Sequence, residues 1–438
     1  MSHHRFEHSS PIVEKNLSLF QLPPTELGVD QIQWVHYRPA SQSDEGPLEF
    51  VISGAGHQYI DLQNSRLYIK AKILKADGSK IPLVFKDTNG SYVESNMNPE
   101  GFVSPVNLWL HSLFDQVDLL MQQEVVNSSN LYPYRSYLET LIYPYEPTLG
   151  EAELFYKDSF TSMDATKVLI GKNFGLDRRN LRGTTSQDID MEGVLHLDIC
   201  CQSRYILNGI DIGLKLWPSR DSFSLMSDIG ECQVKITDAV LKVCKVEVAP
   251  SVLDTHNNIM KHNMTAKYPG ERTHMKSFTI VPGLQSFNKE DIFLGEVPHK
   301  VVCGLVSSAA FNGDFKKNPF NFIHGYISEI GIKVDNKPVP EKPLKTKFGD
   351  HCNSANAFRA LFDDHPDLNI TRDEFEHGYT LFSFTTQKGK DQALNTLQKG
   401  NCGIEIKFSK VTEEAMTLVI MAKFPSVMEI THDRQVTV

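Results

Sequence analysis

Internal repetition constrains the fold of this 438-residue chain more than any single motif does. Four segments of the first half recur in the same order in the second half, which favours two homologous units of about 200 residues each. One such match between short apolar segments could arise by chance, but a shared order argues for a duplication. The paired segments are residues 66–69 with 240–243, 114–119 with 327–332, 134–139 with 358–363, and 193–197 with 403–407, the last followed by 216–219 with 423–426.

The third pair is the most regular, because every apolar, basic and acidic position keeps its class. Both copies have the spacing of an amphipathic helix, so we predict two short helices whose apolar residues, Tyr134 and Phe358 among them, face inwards. Arg135 and Arg359 each precede an acidic residue by four positions, which places both charges of the pair on one helix face. We expect these two arginines on the outer surface.

The last pair carries an aromatic-Pro-Ser motif. Trp217 with Pro218, and Phe424 with Pro425, each precede a serine near the end of an apolar run. Proline lacks an amide hydrogen and therefore interrupts a strand ladder. We predict that these four residues form equivalent corners of the two units and have a structural role only.

Short β-rich runs separated by Gly, Pro, Asn and Asp recur along the whole chain. In one of them, apolar residues at 67, 69, 71 and 73 alternate with lysines at 70 and 72. This period of two gives a strand one buried face and one solvated face. Many such strands with few helical stretches predict an all-β protein built of antiparallel β-sandwiches.

The repeat also predicts the domain organisation, with a join near residues 226–232. Two long stretches with little periodicity, 145–190 and 250–320, are expected to be surface excursions. The predicted units are an N-terminal arm at residues 1–30, a first sandwich at 31–228 and a second sandwich at 229–438.

Composition narrows the function classes. Lys and Arg number 44 against 54 Asp and Glu, and the net charge of -10 argues against a protein that coats nucleic acid over its whole surface. Seven cysteines without C-x-x-C spacing indicate reduced thiols. The polar first residues and the short apolar runs lead us to expect a protein made inside the cell, without a signal peptide and without a membrane span.

Each pattern that could carry catalysis or ligand binding is incomplete. Segment 54–59 opens like a dinucleotide loop, but Tyr59 stands at the third glycine, and segment 188–193 opens like a calcium loop, but Ile199 replaces the closing glutamate. The cluster of acids and a histidine at 363–367 could bind a metal or serve a hydrolase, although a helix end explains it more simply. We therefore expect no enzyme, no cofactor, no metal and no sequence-specific binding of nucleic acid.

The N-terminal part of the chain resembles a known family. The resemblance is carried by residues 19–25 (LFQLPPT), 33–39 (QWVHYRP), 48–50 (LEF), 53–62 (SGAGHQYIDL) and 67–72 (LYIKAK). It runs on through 114–117, 134–138 and 216–218, and continues more faintly over the second half. These segments are similar to the major capsid proteins of Polinton (Maverick) elements and of the related adintoviruses.

The resemblance implies a double jelly-roll, in which two eight-stranded antiparallel β-sandwiches lie in tandem with short helices in their loops. It further implies a homotrimer that forms a pseudo-hexameric, hexon-like capsomer of an icosahedral shell around a double-stranded DNA genome. The location would be the virion capsid, with nuclear or cytoplasmic assembly left open. The implied partners are a single jelly-roll penton protein and a packaging ATPase, with loops between strands forming towers outside.

Two alternatives stay open at this point. A duplicated β-sandwich could be a binding module for carbohydrate or protein, using exposed aromatic residues in its loops. A hydrolase that uses the 363–367 cluster is the other, although no substrate is indicated by the sequence.

Overall fold

The computed structural model describes residues 22, 25–40, 46–81, 85–86, 92–93, 103–144, 147–165, 173–183, 186–349, 352–387 and 396–437. Most of the predicted arm, residues 1–30, lies outside this set. Among the described residues, no helix is both long enough and apolar enough to span a bilayer.

The first half of the chain folds into two antiparallel four-stranded sheets, with the strand orders β1-β12-β3-β9 and β2-β10-β7-β8. We call this sandwich the first roll. Its strands, with a β4–β5 hairpin and a small β6–β11 pair beside it, are β1 (Val29–Tyr37), β2 (Leu48–Ile52), β3 (Tyr59–Lys75), β4 (Phe85–Lys86), β5 (Tyr92–Val93), β6 (Val103–Pro105), β7 (Phe114–Met121), β8 (Glu124–Asn130), β9 (Ile189–Val194), β10 (Ile212–Pro218), β11 (Leu225–Ser227) and β12 (Cys232–Val248).

The second half repeats this arrangement in the sheets β13-β20-β15-β18 and β14-β19-β16-β17. We call it the second roll. Its strands, with β21 added beside β20, are β13 (Ala266–Ile280), β14 (Ser286–Phe293), β15 (Lys300–Ser307), β16 (Ile327–Val334), β17 (Lys337–Lys345), β18 (Leu381–Thr385), β19 (Cys402–Phe408), β20 (Met416–Ile430) and β21 (Val436–Thr437).

The two rolls have the same topology. In both, the first strand of the sandwich pairs with the last, and the second pairs with the next to last, which is the order of two nested Greek keys in a jelly roll. The equivalent strands are β1 with β13, β2 with β14, β3 with β15, β7 with β16, β8 with β17, β9 with β18, β10 with β19 and β12 with β20.

Short helices connect the strands. In each roll the longest connection runs between equivalent strands, from β8 to β9 through α2 and from β17 to β18 through α8. The helices are α1 (Trp109–Ser112), α2 (Tyr132–Ile142), α3 (Pro147–Ala152), α4 (Phe174–Gly183), α5 (Asp221–Ser224), α6 (Pro250–Lys261), α7 (Ser308–Asn312), α8 (Ala355–Asp364) and α9 (Arg372–Glu376).

Alternation of apolar residues explains the long central strands. On β3, Leu67, Ile69, Ala71 and Ile73 are buried in the core of the first roll, while the lysines between them are partly exposed. Leu67 pairs with Leu241 of β12, so neighbouring strands contribute to the same apolar face. Each buried aliphatic side chain contributes about 1.5–3 kcal/mol to folding.

The topology corrects part of the predicted repeat. Segments 114–119 and 327–332 lie on the equivalent strands β7 and β16, and the third pair lies on α2 and α8. Residues 66–69 and 240–243 are not equivalent, because they lie on β3 and β12, which are hydrogen-bonded to each other. Segment 193–197 begins on β9 whereas 403–407 lies on β19, so that match is also wrong. Strands with one period-two pattern resemble one another whichever place they hold in the sheet.

The predicted boundary at 228/229 also needs correction. Strand β12 follows it in the sequence, yet pairs with β1 and β3 of the first roll along its whole length. We propose that the two units divide at α6, which begins with Pro250 directly after β12.

The stretch 250–320 is not an irregular excursion, because it contains α6, β13, β14, β15 and α7. Pro269 and Gly270 both lie on β13, at the edge of its sheet. Proline is tolerated on an edge strand, where its missing amide hydrogen has no partner to lose. In the stretch 145–190, the described residues include α3 and α4, and the calcium-loop-like segment 188–193 runs into strand β9.

Candidate functional site between the two rolls

Helix α2 of the first roll is enclosed between the two rolls. Arg135 is 1% exposed, which contradicts its predicted place on the outer surface. Its Nη2 donates to Asp198 Oδ1 at 2.6 Å, and its Nε donates to Glu139 Oε1 at 3.3 Å. A buried guanidinium is tolerated only with such charge-assisted bonds. The predicted helix is present as α2, but its Arg135 side chain is buried.

The charges continue from α2 into the second roll. Lys423 on β20 lies with its Nζ 3.8 Å from Glu139 Oε1 and 3.3 Å from Glu271 Oε2. Glu271 Oε1 in turn contacts His299 Nε2 at 2.8 Å, and the other carboxylate oxygen of Glu139 contacts His196 Nδ1 at 2.9 Å. The result is a continuous ionic network that crosses the contact between the rolls.

The network holds Glu139, Lys423 and Glu271 in the charged state. Burial alone would raise the pKa of Glu139, but Arg135, His196 and Lys423 keep that pKa well below its usual value. Burial would lower the pKa of Lys423, and the surrounding Tyr143, Glu139 and Glu271 instead raise it. Burial would also raise the pKa of Glu271, but His299 and Lys423 lower it to about 2. These charges stabilise the contact only while all partners are in place.

An aromatic layer lies beside the network. Tyr137 of α2 stacks on Phe320 of the second roll, with 4.2 Å between ring centroids and 13° between ring planes. Tyr134 stacks on Phe311 at 5.5 Å and meets Phe322 edge-on at 6.4 Å. Tyr134, the predicted inward-facing residue of this helix, is thus buried against the second roll rather than only within the first.

A second polar cluster also joins the rolls. Asp158 and Arg179 are fully buried and paired at 2.8 Å within the first roll. Asn318 Nδ2 donates to Asp158 Oδ2 at 3.1 Å, and the hydroxyl of Tyr379 donates to the backbone oxygen of Asp158 at 2.8 Å. Both donors belong to the second roll. Hydrogen bonds to a buried carboxylate give the contact a fixed register as well as stability.

Helix α8 of the second roll has a different environment from α2. Arg359 pairs with Asp363 at 2.8 Å, but the two side chains are 70% and 46% exposed. Phe358 is partly buried and packs against Phe375, with 5.8 Å between ring centroids. The two predicted helices therefore occupy equivalent places in the topology, and only one of them is covered by a neighbouring roll.

The predicted corners are not equivalent. Trp217 and Pro218 end β10, where the Trp217 Nε1 donates to Asp118 Oδ2 at 3.0 Å and the indole is 41% exposed. Phe424 and Pro425 lie within β20, and Phe424 is buried against Phe293 of the second roll. Strands β10 and β20 hold different places in their rolls, so the shared aromatic-Pro-Ser motif does not mark equivalent positions.

Within the acidic cluster at the end of α8, Asp364 and His365 contact strand β18. Ser383 Oγ donates to Asp364 Oδ2 at 3.0 Å and contacts His365 Nε2 at 3.3 Å. Burial, with Lys300 and Lys423 nearby, lowers the pKa of His365 to about 3, so its imidazole is neutral at pH 7. No three His, Cys, Asp or Glu side chains of the described residues converge as a metal site.

The sequence patterns did not predict several members of the ionic network, namely Asp198, His196, Lys423 and Glu271. One signal was present: Lys423 interrupts the apolar run that begins at Met416. A lysine in such a strand has to find a buried counter-ion, although its partners come from residues far away in sequence.

No known family profile matches the chain. The uncharacterized protein F54H12.2 of Caenorhabditis elegans is 25% identical over 435 residues, covering 93% of this chain and 97% of that protein. The description of that relative gives no function.

Solved viral structures share the architecture. A chain of the Sputnik virophage solved by cryo-EM matches with a TM-score of 0.63 at 13% identity, over 98% of this chain and 92% of that one. The Faustovirus major capsid protein gives 0.59 at 9% identity, over 94% and 92%. The mavirus major capsid protein gives 0.55 at 10% identity, over 100% and 96%. With the strand orders above, these matches show that the chain has the double jelly-roll fold.

Proposed function

We propose that this chain is a major capsid protein that trimerises into pseudo-hexameric capsomers and assembles an icosahedral shell around a double-stranded DNA genome. The observation that carries the proposal is the pair of topologically identical rolls joined by a buried ionic and aromatic contact. The fold matches with the capsid proteins of Faustovirus and mavirus support it.

The geometry of the contact suits such an assembly. One roll contributes a helix and the other contributes the face of a sheet, so the contact is head-to-tail. A head-to-tail contact that is repeated closes into a ring when its rotation divides a full turn, and otherwise extends into an open filament. Three chains with two rolls each would supply six similar units, which is the number that hexagonal packing in a shell requires.

The proposed role is structural and not enzymatic. We propose the virion capsid as its location, and as partners further copies of the chain and a single jelly-roll penton protein. We also propose descent within the Polinton and adintovirus lineage, on the N-terminal segments described above. Genome contacts would then be confined to one face or left to other proteins, since the net charge is -10.

Light scattering after size-exclusion chromatography tests the proposal. Three chains of 49.5 kDa predict a species of 148.5 kDa. Negative-stain electron microscopy of that species should show hexagonal particles, and concentrated samples should form closed shells. A chain that remains monomeric at micromolar concentration and in concentrated samples would contradict the proposed function.

A further inference from the structure

Two lysines occupy matching places in the two rolls. Lys423 lies on β20 between Thr273 of the first strand and Lys300 of the third strand of its sheet. Lys242 lies on the equivalent strand β12, between His36 of the first strand and Arg66 of the third. Both lysines point away from their own core, because Phe424 beside one and Leu241 beside the other are buried in it.

These outer faces have different environments. In the second roll, Thr273 and Lys423 are 5% and 9% exposed, because α2 and Tyr143 of the first roll contact Lys423 and Asp198 of the first roll contacts Thr273. In the first roll, Ile32 and Trp34 lie on the edge strand β1 and are 49% and 51% exposed. Trp34 pairs with Cys244, two residues from Lys242, so its indole is on the same outer face.

The covering element also has an exposed counterpart. Glu139, which contacts Lys423, aligns with Asp363 of α8, and the buried Leu138 aligns with Phe362. Phe362 is 40% exposed, and Asp363 pairs across the helix surface with Arg359. Each side of the contact between the rolls is therefore present twice in the chain. The face of β13 and β20 contacts α2 within the chain, whereas the equivalent face of β1 and β12 and the equivalent helix α8 are partly exposed.

We propose that α8 of one copy docks on the outer face of β1 and β12 of a second copy, reproducing between chains the contact that α2 makes within the chain. Phe362 would pack against Trp34, and Asp363 would reach Lys242. Lys242 already bonds Glu192 at 2.5 Å and lies over the ring of Tyr68. This parallels Lys423, which bonds Glu271, lies over the ring of Tyr143 and reaches Glu139.

The complementarity is both apolar and electrostatic. An exposed tryptophan next to an isoleucine is an unusual surface for an edge strand, which is normally protected by charge. Buried aromatic residues at the centre of an interface are the positions where truncation weakens binding most. The inference rests on the proposed function, because it names the surfaces through which the copies would join.

The test uses one variant on each surface of the full chain. Trp34→Glu and Phe362→Asp place a charge on side chains that are already half exposed, so each roll should keep its fold, as circular dichroism and thermal unfolding would show. Light scattering should give 49.5 kDa for each variant alone at concentrations where the unaltered protein is trimeric. The dissociation constant should rise by about tenfold or more. Val411→Glu, at another exposed apolar residue, is the matched control and should remain trimeric.

A mixture of the two variants gives the sharper result. The Trp34→Glu chain keeps an intact α8, and the Phe362→Asp chain keeps an intact sheet face, so the pair can make one head-to-tail contact but cannot close a ring. The mixture should therefore contain a 99.0 kDa heterodimer that neither variant forms alone.

The outcomes separate the two claims. An unaltered chain that is monomeric overturns the proposed function. A trimeric unaltered chain whose Trp34→Glu and Phe362→Asp variants are also trimeric overturns only this inference, as does a mixture without the heterodimer. If one variant fails to fold, the other, on the opposite roll, still decides the result.

Discussion

The ammonium nitrogen of Lys423 in the second roll lies 3.8 Å from Oε1 of Glu139 in the first roll, and both side chains are almost fully buried. The two residues are far apart in sequence and meet only when both rolls have folded. Their pairing therefore couples the stability of each roll to the presence of the other.

Replacing Lys423 with Met tests this coupling. The substitution leaves the buried Glu139, and the half-exposed Glu271 beside it, with fewer positive partners, so we expect a loss of about 3–5 kcal/mol in the free energy of unfolding. Lys333→Met is the matched control, because the Lys333–Glu405 pair at 2.6 Å is about one-third exposed, and it should cost about 0–1 kcal/mol. Denaturant titration measures both, and equal losses would contradict a special role for the buried lysine.

The aromatic layer should contribute through packing. Phe320 is fully buried and stacks on Tyr137, so Phe320→Ala removes a large apolar side chain and leaves a cavity between the rolls. We expect a loss of about 3–5 kcal/mol in the free energy of unfolding. Phe174, which is 58% exposed, provides the comparison, and Phe174→Ala should change the melting temperature little. A Phe320→Ala melting temperature equal to that of the unaltered protein would refute this assignment.

The sequence predicted the all-β class and the duplication because both follow from local patterns. The alternation on β3 and the helical spacing of residues 134–139 need no knowledge of the partner strands. The pairing of strands does not follow from local patterns. Residues 66–69 and 240–243 look alike because both alternate apolar residues with a period of two, and they pair with each other in one sheet rather than being copies.

The site was less accessible to sequence reasoning, because it is made of long-range contacts. Arg135 and Arg359 have the same helical context, yet one is 1% exposed and the side chain of the other is 70% exposed. The difference lies in what covers each helix, and no local pattern encodes it. Lys423 was the one residue whose place in an apolar strand could have pointed to a buried counter-ion.

Acid should weaken the protein in two stages. His365 has a pKa of about 3 in the folded chain, through burial and through Lys300 and Lys423, against about 6.5 when unfolded. Between those values the unfolded chain binds one more proton at this site, so stability falls as pH falls, by up to about 1.4 kcal/mol per pH unit. Below about pH 4.5 the low pKa values of Glu139 and Glu271 add a further loss.

Melting temperatures measured from pH 7 to pH 4 check the first stage. Burial also lowers the pKa of His111, His274 and His324, so His365→Gln should reduce the slope rather than abolish it. His432→Gln, at a half-exposed histidine, is the control for the substitution itself. An identical slope in the His365→Gln variant would show that its imidazole does not titrate as expected.

Two glycines on strands of the second roll give a last prediction, on backbone packing. A Cβ at Gly403 on β19 would lie 2.3 Å from the backbone oxygen of Glu290, and a backbone atom cannot rotate away as a side chain can. Gly403→Ala should therefore force β14 and β19 apart and cost about 1–3 kcal/mol in the free energy of unfolding. Gly270 on β13 has open space where a Cβ would stand, so Gly270→Ala should be neutral or slightly stabilising, since alanine restricts the unfolded chain more than glycine does. Thermal unfolding of the two variants side by side measures the difference, and a Gly403→Ala variant as stable as Gly270→Ala would mean that the two strands can separate at this point without loss.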